Sequence, residues 1–177
     1  MEKIRVATIW LSGCSGCHMS FLDQDESLLE LLRKIKIVYS PLIDVKTFPE
    51  NVDVTLIEGA VANEEQHRLL EEARAQTKIL ISLGDCAVTG NVTALRNAWR
   101  DSDQLALEKA YVENSNGKAQ IPTNVPKLLK KVRPLHQLVK VDHFIPGCPP
   151  SPAIINYVVT ELLAGRTPNM EGRSKYG

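Results

Sequence analysis

The segment IRVATIWLSGCSGCHMS, residues 4–20, joins an apolar run to a glycine-rich loop that contains Cys14 and Cys17. The near-continuous apolar character of its first half is typical of a strand that is covered by helices on both faces. Two further cysteines stand in similar places, since Cys86 follows the run KILIS and Cys148 follows LVKVDHF. Because the carboxyl ends of parallel strands meet at one edge of a sheet, the sequence predicts that all four thiols converge there.

Strand-like and helix-like stretches alternate along the chain, which indicates an α/β fold with a mostly parallel sheet and helices on both faces. The predicted strands cover residues 4–10, 37–39, 52–57, 78–83 and 138–145. Helices are predicted over residues 20–34, from Asn63, and from Ser151 and Pro152 to Gly165. Asn63 and Gln66 have the spacing of a capping box, and proline is well tolerated at the first helical position.

The alternation predicts one domain over residues 1–165, which carries the cysteine site. It is interrupted at about residues 100–136, where a helical fragment is mixed with NSNG, IPTN and VPK. Such long connections are uncommon and often functional, so an irregular excursion is predicted there. Residues 166–177 are polar and are predicted to form an extended C-terminal arm.

The composition is that of an ordinary globular protein, since 44% of the 177 residues are hydrophobic and 24% are charged. The 21 basic and 21 acidic side chains leave no net charge, so nucleic acids and anionic membranes are not expected as partners. No apolar run approaches the roughly 20 residues of a membrane-spanning helix. The N-terminus, Met1-Glu2-Lys3, has no signal-peptide or twin-arginine pattern, which predicts a cytoplasmic protein.

In a reducing compartment, four cysteines are expected to bind a metal or to act in redox chemistry. Four convergent thiolates form the usual ligand set of an iron–sulfur cluster. Cys14 and Cys17 alone would suit a redox dithiol, but that interpretation leaves Cys86 and Cys148 unexplained. A structural zinc site usually takes two close pairs of ligands, whereas this chain has one pair and two single cysteines. An iron–sulfur cluster is favoured, and a zinc-stabilised interaction module and thiol chemistry stay open.

Four segments, in this order, resemble the small subunits of [NiFe] hydrogenases: WLSGCSGCHMSFL at 10–22, IEGAV at 57–61, GDCAVTGN at 84–91 and IPGCPPSP at 145–152. Among these, the chain resembles the short small subunits of the bidirectional, NAD(P)-linked enzymes of cyanobacteria and some other bacteria. The resemblance implies a flavodoxin-like fold that holds one [4Fe-4S] cluster. By motif match, its ligands would be Cys14, Cys17, Cys86 and Cys148.

The resemblance also implies the partners. A separate large subunit would carry the nickel–iron centre that splits hydrogen, and a diaphorase module with flavin and iron–sulfur groups would bind and reduce NAD(P)+. This chain would be the electron-transferring subunit between them, in its single-cluster form, because no cysteine follows Cys148. The part of the excursion at 114–126 is expected to help bind the large subunit.

A quinone-linked redox complex is the main alternative. The cluster-bearing subunit of respiratory complex I is similar in its general pattern, but it has adjacent cysteines in its first motif. Here Ser15 and Gly16 separate Cys14 from Cys17, which favours the hydrogenase family.

Glu58 ends a predicted strand at the same edge as the cysteines, in a Glu-Gly step that resembles the family's. We expect it either to relay protons near the subunit boundary or to play a structural role, and no other residue of this chain is expected to be catalytic. His18 is expected either to contact the cluster or the partner, or to be an ordinary residue at a helix start.

Two further expectations concern ligands and surfaces. Cys14 and Cys17 occupy the loop that would ordinarily hold a flavin phosphate, so FMN is not predicted there, and FMN elsewhere on this chain stays open. The sequence has no nucleotide-binding glycine fingerprint, so NAD(P) is placed on a partner. The runs EEQHRLLEEAR at 64–74 and KLLKKVRP at 127–134 are predicted as solvated helical faces.

Overall fold

The computed structural model describes residues 3–112 and 122–173. Seven strands lie within these ranges: β1 Ile4–Trp10, β2 Ile35–Tyr39, β3 Val52–Glu58, β4 Val61–Asn63, β5 Thr77–Leu83, β6 Leu128–Arg133 and β7 His143–Ile145. Five of them form one sheet in the order β2-β1-β3-β5-β7, and each neighbouring pair is parallel. Numbered within this sheet, the order is 2-1-3-4-5, which is that of flavodoxin-like folds, so the predicted fold class is confirmed.

The described residues also form six α-helices: α1 Gly16–Leu22, α2 Glu26–Lys34, α3 Glu64–Gln76, α4 Asp85–Thr89, α5 Ser102–Leu107 and α6 Pro152–Leu163. A 3₁₀ helix, Asn91–Ala98, follows α4, and a π-helical turn, Glu108–Val112, follows α5. No helix among the described residues is both long enough and apolar enough to span a membrane.

The central part of β1 is buried on both faces because helices cover both faces of the sheet. On one face Val6 of β1 belongs to a buried cluster with Phe21 of α1 and residues of α2 and α6. Its neighbour Ala7 points to the other face and belongs to a cluster with Leu70 of α3. Burial of one large aliphatic side chain adds roughly 1.5–3 kcal/mol to the free energy of unfolding. A sheet that is covered on both faces therefore favours strands with continuous apolar runs over strands that alternate apolar and polar residues.

The single helix predicted over residues 20–34 is instead two helices, α1 and α2, with a break around Asp25. The φ of Asp25 is 48°, in the left-handed region, which a continuous right-handed helix does not allow. Gln24 is buried beside it, donates to the carbonyl of Phe21 (2.8 Å) and accepts from the side-chain amide of Asn156 in α6 (2.8 Å). The break is therefore set by a contact with α6, which the apolar spacing of 20–34 does not reveal.

The predicted starts of α3 and α6 are confirmed. Asn63 Oδ1 accepts a hydrogen bond from the backbone N–H of Gln66 (2.8 Å), as an N-cap should. The Gln66 side chain accepts from the backbone N–H of Ala62 (2.9 Å), so the capping box is not reciprocal. Ser151 caps α6, and Pro152 is its first residue.

The stretch predicted as an irregular excursion, 100–136, contains α5 and β6, and β6 pairs antiparallel with β4. The run KLLKKVRP is therefore a strand, and its prediction as a helical face was wrong, whereas EEQHRLLEEAR does form α3. The side chain of Asn97 donates to the carbonyl of Val132 (2.8 Å) and accepts from its N–H (2.7 Å), as a neighbouring strand would. These contacts with Asn97 and β4, rather than the local residue pattern, favour a strand here.

Residues 113–121, which include most of the stretch expected to contact a partner, lie outside the described residues.

The strand predicted over residues 138–145 is shortened to β7. Its predecessor Asp142 accepts hydrogen bonds from the backbone N–H of Leu80 (2.9 Å) and from the guanidinium of Arg74 (2.6 Å). These contacts attach the residue before β7 to β5 and α3, and the preceding segment leaves the sheet. The division into a domain and a C-terminal arm stays a prediction.

Candidate metal centre

The four cysteines line one small cavity. They reach it from three loops that follow β1, β5 and β7, at the carboxyl edge of the sheet. The predicted convergence of the four thiols is therefore what the fold produces. The remaining lining residues are Glu58, Gly59, Asp85, Gly147 and Pro149.

The first loop places one cysteine deep in the cavity and one at its mouth. Cys17 lies in the first turn of α1 and is buried, whereas Cys14 is exposed. Between them Ser15 takes a left-handed φ of 68°. A Cβ added at Gly16 would lie 3.3 Å from the sulfur of Cys14, so a side chain there would press on that sulfur.

The second loop passes directly over the sulfur of Cys17. A Cβ added at Gly84 would lie 2.2 Å from that sulfur. The φ of Gly84 is 81°, an angle that residues other than glycine rarely adopt. Glycine at this position therefore lets the backbone approach the sulfur. Cys86 follows in the first turn of α4 and is half-buried.

The third loop is tied to the second by a set of hydrogen bonds. The carboxylate of Asp85 accepts from the backbone N–H of Gly147 (2.7 Å), and the Asp85 N–H donates to the Gly147 carbonyl (2.9 Å). Gly84 N–H donates to the carbonyl of Ile145 (2.8 Å). Cys148 therefore sits next to a backbone that Asp85 holds in position.

The electrostatics of the cavity disfavour free thiolates. Burial raises the pKa of the Cys17 thiol, and Glu58 and the other cysteines raise it further. Burial also raises the pKa of Cys86, with a further contribution from Cys148. Thiols that bind a metal lose their protons because the cation offsets the negative charge. The donor set therefore suits a cationic group that contacts all four sulfurs.

Glu58 and His18 form a buried pair beside the cavity. Glu58 is 1% exposed, and its Oε2 accepts the backbone N–H of His18 (2.7 Å) and lies 2.6 Å from His18 Nδ1. The carboxylate thus holds the peptide that follows Cys17. Within the described residues His18 Nε2 is buried without a hydrogen-bond partner, and the ring of Trp10 stacks on the imidazole with 5.7 Å between centroids.

The sequence interpretation missed Asn91. Its side-chain Nδ2 lies 3.4 Å from the sulfur of Cys148, although Asn91 follows a different cysteine in the chain. The one signal in the sequence is its place in GDCAVTGN, five residues after Cys86. That spacing does not indicate a contact with the third loop, because the contact depends on how the two loops pack.

Comparison with known proteins identifies relatives of this chain. Residues 14–162 match the family described as NADH ubiquinone oxidoreductase, 20 Kd subunit. Over 170 residues the chain is 46% identical to the NAD-reducing hydrogenase HoxS subunit delta of Cupriavidus necator, with 93% of this chain and 80% of that subunit covered. It is 40% identical to a subunit of the vhu F420-non-reducing hydrogenase of Methanocaldococcus jannaschii, with 94% of this chain but only 58% of that subunit covered.

A solved structure is similar along the whole chain. The crystal structure of an NAD+-reducing [NiFe]-hydrogenase in the H2-reduced state contains a chain that superimposes with a TM-score of 0.94 at 39% identity. The match covers 99% of this chain and 100% of that one. The chain therefore belongs to the NADH ubiquinone oxidoreductase 20 Kd subunit family and, within it, to the hydrogenase small subunits that its sequence motifs resemble.

Proposed function

We propose that this chain is the electron-transfer small subunit of an NAD(P)-linked [NiFe] hydrogenase and holds one [4Fe-4S] cluster. The observation that carries the proposal is the convergence of four thiols from three loops on one cavity, in a chain 46% identical to the HoxS delta subunit. The proposed ligands are Cys14, Cys17, Cys86 and Cys148. Once bound, such a cluster accepts and releases one electron at a time.

The donor set supports a cluster. Four cysteines line the wall of one cavity. A cubane offers a separate iron to each thiolate, so it suits ligands that are spread around a space.

The chain's own residues would hold the ligands and limit access of water. Gly84 brings backbone against the sulfur of Cys17, and Asp85 fixes the loop of Cys148. Glu58 fixes the peptide after Cys17 through the N–H of His18. We assign Glu58 this positioning role, because both groups that it binds belong to His18; a proton-relay role is the alternative.

The proposed partners follow from the relatives. A large subunit would carry the nickel–iron centre and split hydrogen, and a diaphorase module would bind NAD(P) and flavin. Electrons would run through this chain in either direction. We propose a cytoplasmic location for the assembly. A flavin on this chain would need a site other than the first loop, which Cys14 and Cys17 occupy.

A quinone-linked complex is the second candidate, because the matching family is described by an NADH ubiquinone oxidoreductase subunit. Anaerobic purification of the chain with its partners separates the possibilities. A nickel-containing partner with hydrogen-dependent NAD(P)+ reduction supports the hydrogenase, whereas quinone reduction without nickel supports the alternative. About one zinc per chain, without iron or sulfide, would indicate a zinc-stabilised module.

The variant Cys86→Ser tests the role of this chain in the assembled complex. It should reduce hydrogen-dependent NAD(P)+ reduction by at least about a hundredfold, since loss of a ligand disturbs the cluster that carries the electrons. Lys36→Ser, at an exposed position of β2, is the matched control and should keep the activity. Near-normal electron flow in the Cys86 variant would contradict the proposed function.

A further inference from the structure

Asn91 makes a side-chain contact with a cysteine that lies in a different loop. Its Nδ2 is 3.4 Å from the sulfur of Cys148, a distance that suits a hydrogen bond to the large sulfur atom. Among the described hydrogen bonds, this is the one in which an asparagine side chain donates to a cysteine sulfur. The contact joins the start of the 3₁₀ helix after α4 to the loop after β7, where Cys148 is exposed.

The chemistry of the sulfur decides the direction of this hydrogen bond. A thiolate that binds iron has no proton, so it can only accept. The side-chain amide of Asn91 must then turn its NH₂ group, rather than its oxygen, toward Cys148. The geometry already has this orientation.

The backbone around Asn91 is held from both sides. Before it, Gly90 has a φ of 91°, and Asn91 itself has a φ of 37°; its N–H donates to the hydroxyl of Thr89 (3.3 Å). After it, the 3₁₀ helix is attached to the β4–β6 sheet, since Arg96 donates to the carbonyls of Ala62 (3.2 Å) and Leu129 (2.8 Å). The amide is therefore presented to the sulfur by a supported segment, and the β4–β6 sheet is part of that support.

We propose that Asn91 is a positioning residue of the cluster: it donates a hydrogen bond to the Cys148 thiolate and thereby raises the reduction potential. The inference rests on the proposed function, because it requires a cluster at Cys148. Reduction adds negative charge, which spreads over the ligand sulfurs. An N–H donor stabilises that added charge, so the reduced state is favoured.

The test measures the reduction potential of the cluster in the anaerobically purified complex, by redox titration followed with electron paramagnetic resonance. Asn91→Gly removes the donor, and glycine accepts the positive φ without strain. Its midpoint potential should shift below that of the wild type, and Asn91→Asp, which adds a negative charge, should shift it further. Asn51→Gly is the matched control, because Asn51 also has a positive φ (56°) and its described contact to Arg5 uses only its backbone. An unchanged midpoint in Asn91→Gly would overturn the proposal.

A second measurement on the wild-type complex covers the case in which Asn91→Gly fails to take up iron. Asparagine labelled with ¹⁵N in its side chain should give a nitrogen coupling to the reduced cluster in pulsed double-resonance spectra, with a nearby exchangeable proton. Absence of this coupling from a loaded cluster would contradict the inference while leaving the cluster itself intact. Absence of iron and sulfide from the wild type would instead contradict the proposed function.

Discussion

Gly84 occupies the point where the second cysteine loop comes closest to Cys17. Its φ of 81° and the 2.2 Å separation between an added Cβ and the Cys17 sulfur leave room only for hydrogen. The glycine thus serves two requirements at once, an unusual backbone angle and a close approach to the Cys17 sulfur.

Gly84→Ala should prevent normal loading of the cluster, because the methyl group would displace the sulfur of Cys17. We expect most of the iron and sulfide to be lost from the purified complex. Gly165→Ala is the control, since Gly165 also has a positive φ (70°) but nothing lies within 4 Å of its added Cβ. That control should cost about 1 kcal/mol of backbone strain and keep its iron. A fully loaded Gly84→Ala protein would contradict the geometry of the site.

Glu58 gives a second test at this scale. Glu58→Ala leaves the Nδ1 and backbone N–H of His18 buried without their acceptor, so the free energy of unfolding should fall by about 3 kcal/mol. Glu58→Gln keeps an acceptor oxygen and should lose only about half as much. Urea unfolding followed by circular dichroism measures both. Equal stability of the alanine variant and the wild type would show that the pair does not position the peptide.

The candidate site could be predicted from the sequence only in part. The four cysteines were identifiable because each follows a strand-like run and parallel strands end at one edge. The contact of Asn91 with Cys148 was not, and neither was the stacking of Trp10 on His18. Both depend on the packing of side chains, which residue spacing along the chain does not encode.

At the scale of the elements, the secondary-structure predictions were correct where the local residue pattern agreed with the tertiary contacts. The bounds predicted for β1 match the structure, because its apolar run is buried on both faces and nothing opposes it. The pattern of 20–34 suggests one helix, but the hydrogen bond between Gln24 and Asn156 of α6 favours a break. The lysine-rich β6 becomes a strand because Asn97 and β4 satisfy its backbone.

Asp142, which precedes β7, should make the free energy of unfolding depend on pH. Burial alone would raise the pKa of Asp142, but the backbone N–H of Leu80 and the guanidinium of Arg74 outweigh it and lower the pKa below the usual carboxyl value. A lowered pKa in the folded state contributes stability above the unfolded-state pKa. This contribution is lost as the pH falls through the folded-state pKa.

Asp142→Asn should therefore lower stability at neutral pH and flatten the loss of stability on acidification. The measurement is the free energy of unfolding in urea between pH 7 and about pH 3. Asp44→Asn, at an exposed position, is the control and should keep the wild-type slope. If the Asp142 variant lost stability in acid as steeply as the wild type, the assigned contacts would not account for the lowered pKa.

At the scale of the whole molecule, the topology places the site. In the parallel sheet β3 pairs with β1 and β5, and β5 pairs with β7, which brings loops from distant parts of the chain to one edge. Trp10, at the end of β1 on this edge, is an exposed apolar side chain, and Leu95 is another in the 3₁₀ helix that begins at Asn91, the residue that contacts Cys148. A surface of this kind beside a metal centre suits a subunit interface.

Leu95→Glu should weaken binding of the nickel-bearing partner by about tenfold or more, which corresponds to ~1.4 kcal/mol. Leu95 is 70% exposed, so the change should leave the fold of the chain unaltered. Leu29→Glu is the matched control, because Leu29 is 62% exposed on α2, outside the cysteine loops. Affinity is measured by surface-immobilised binding under anaerobic conditions, and equal losses for both variants would argue against an interface at the cysteine edge.

The most direct test of the account is an iron-edge anomalous diffraction map of the anaerobically purified complex. We expect one compact cluster of about four irons in the cavity, with an iron bonded to each of Cys14, Cys17, Cys86 and Cys148. A single metal peak, or a cluster that leaves any of these four sulfurs without a bond to iron, would contradict it.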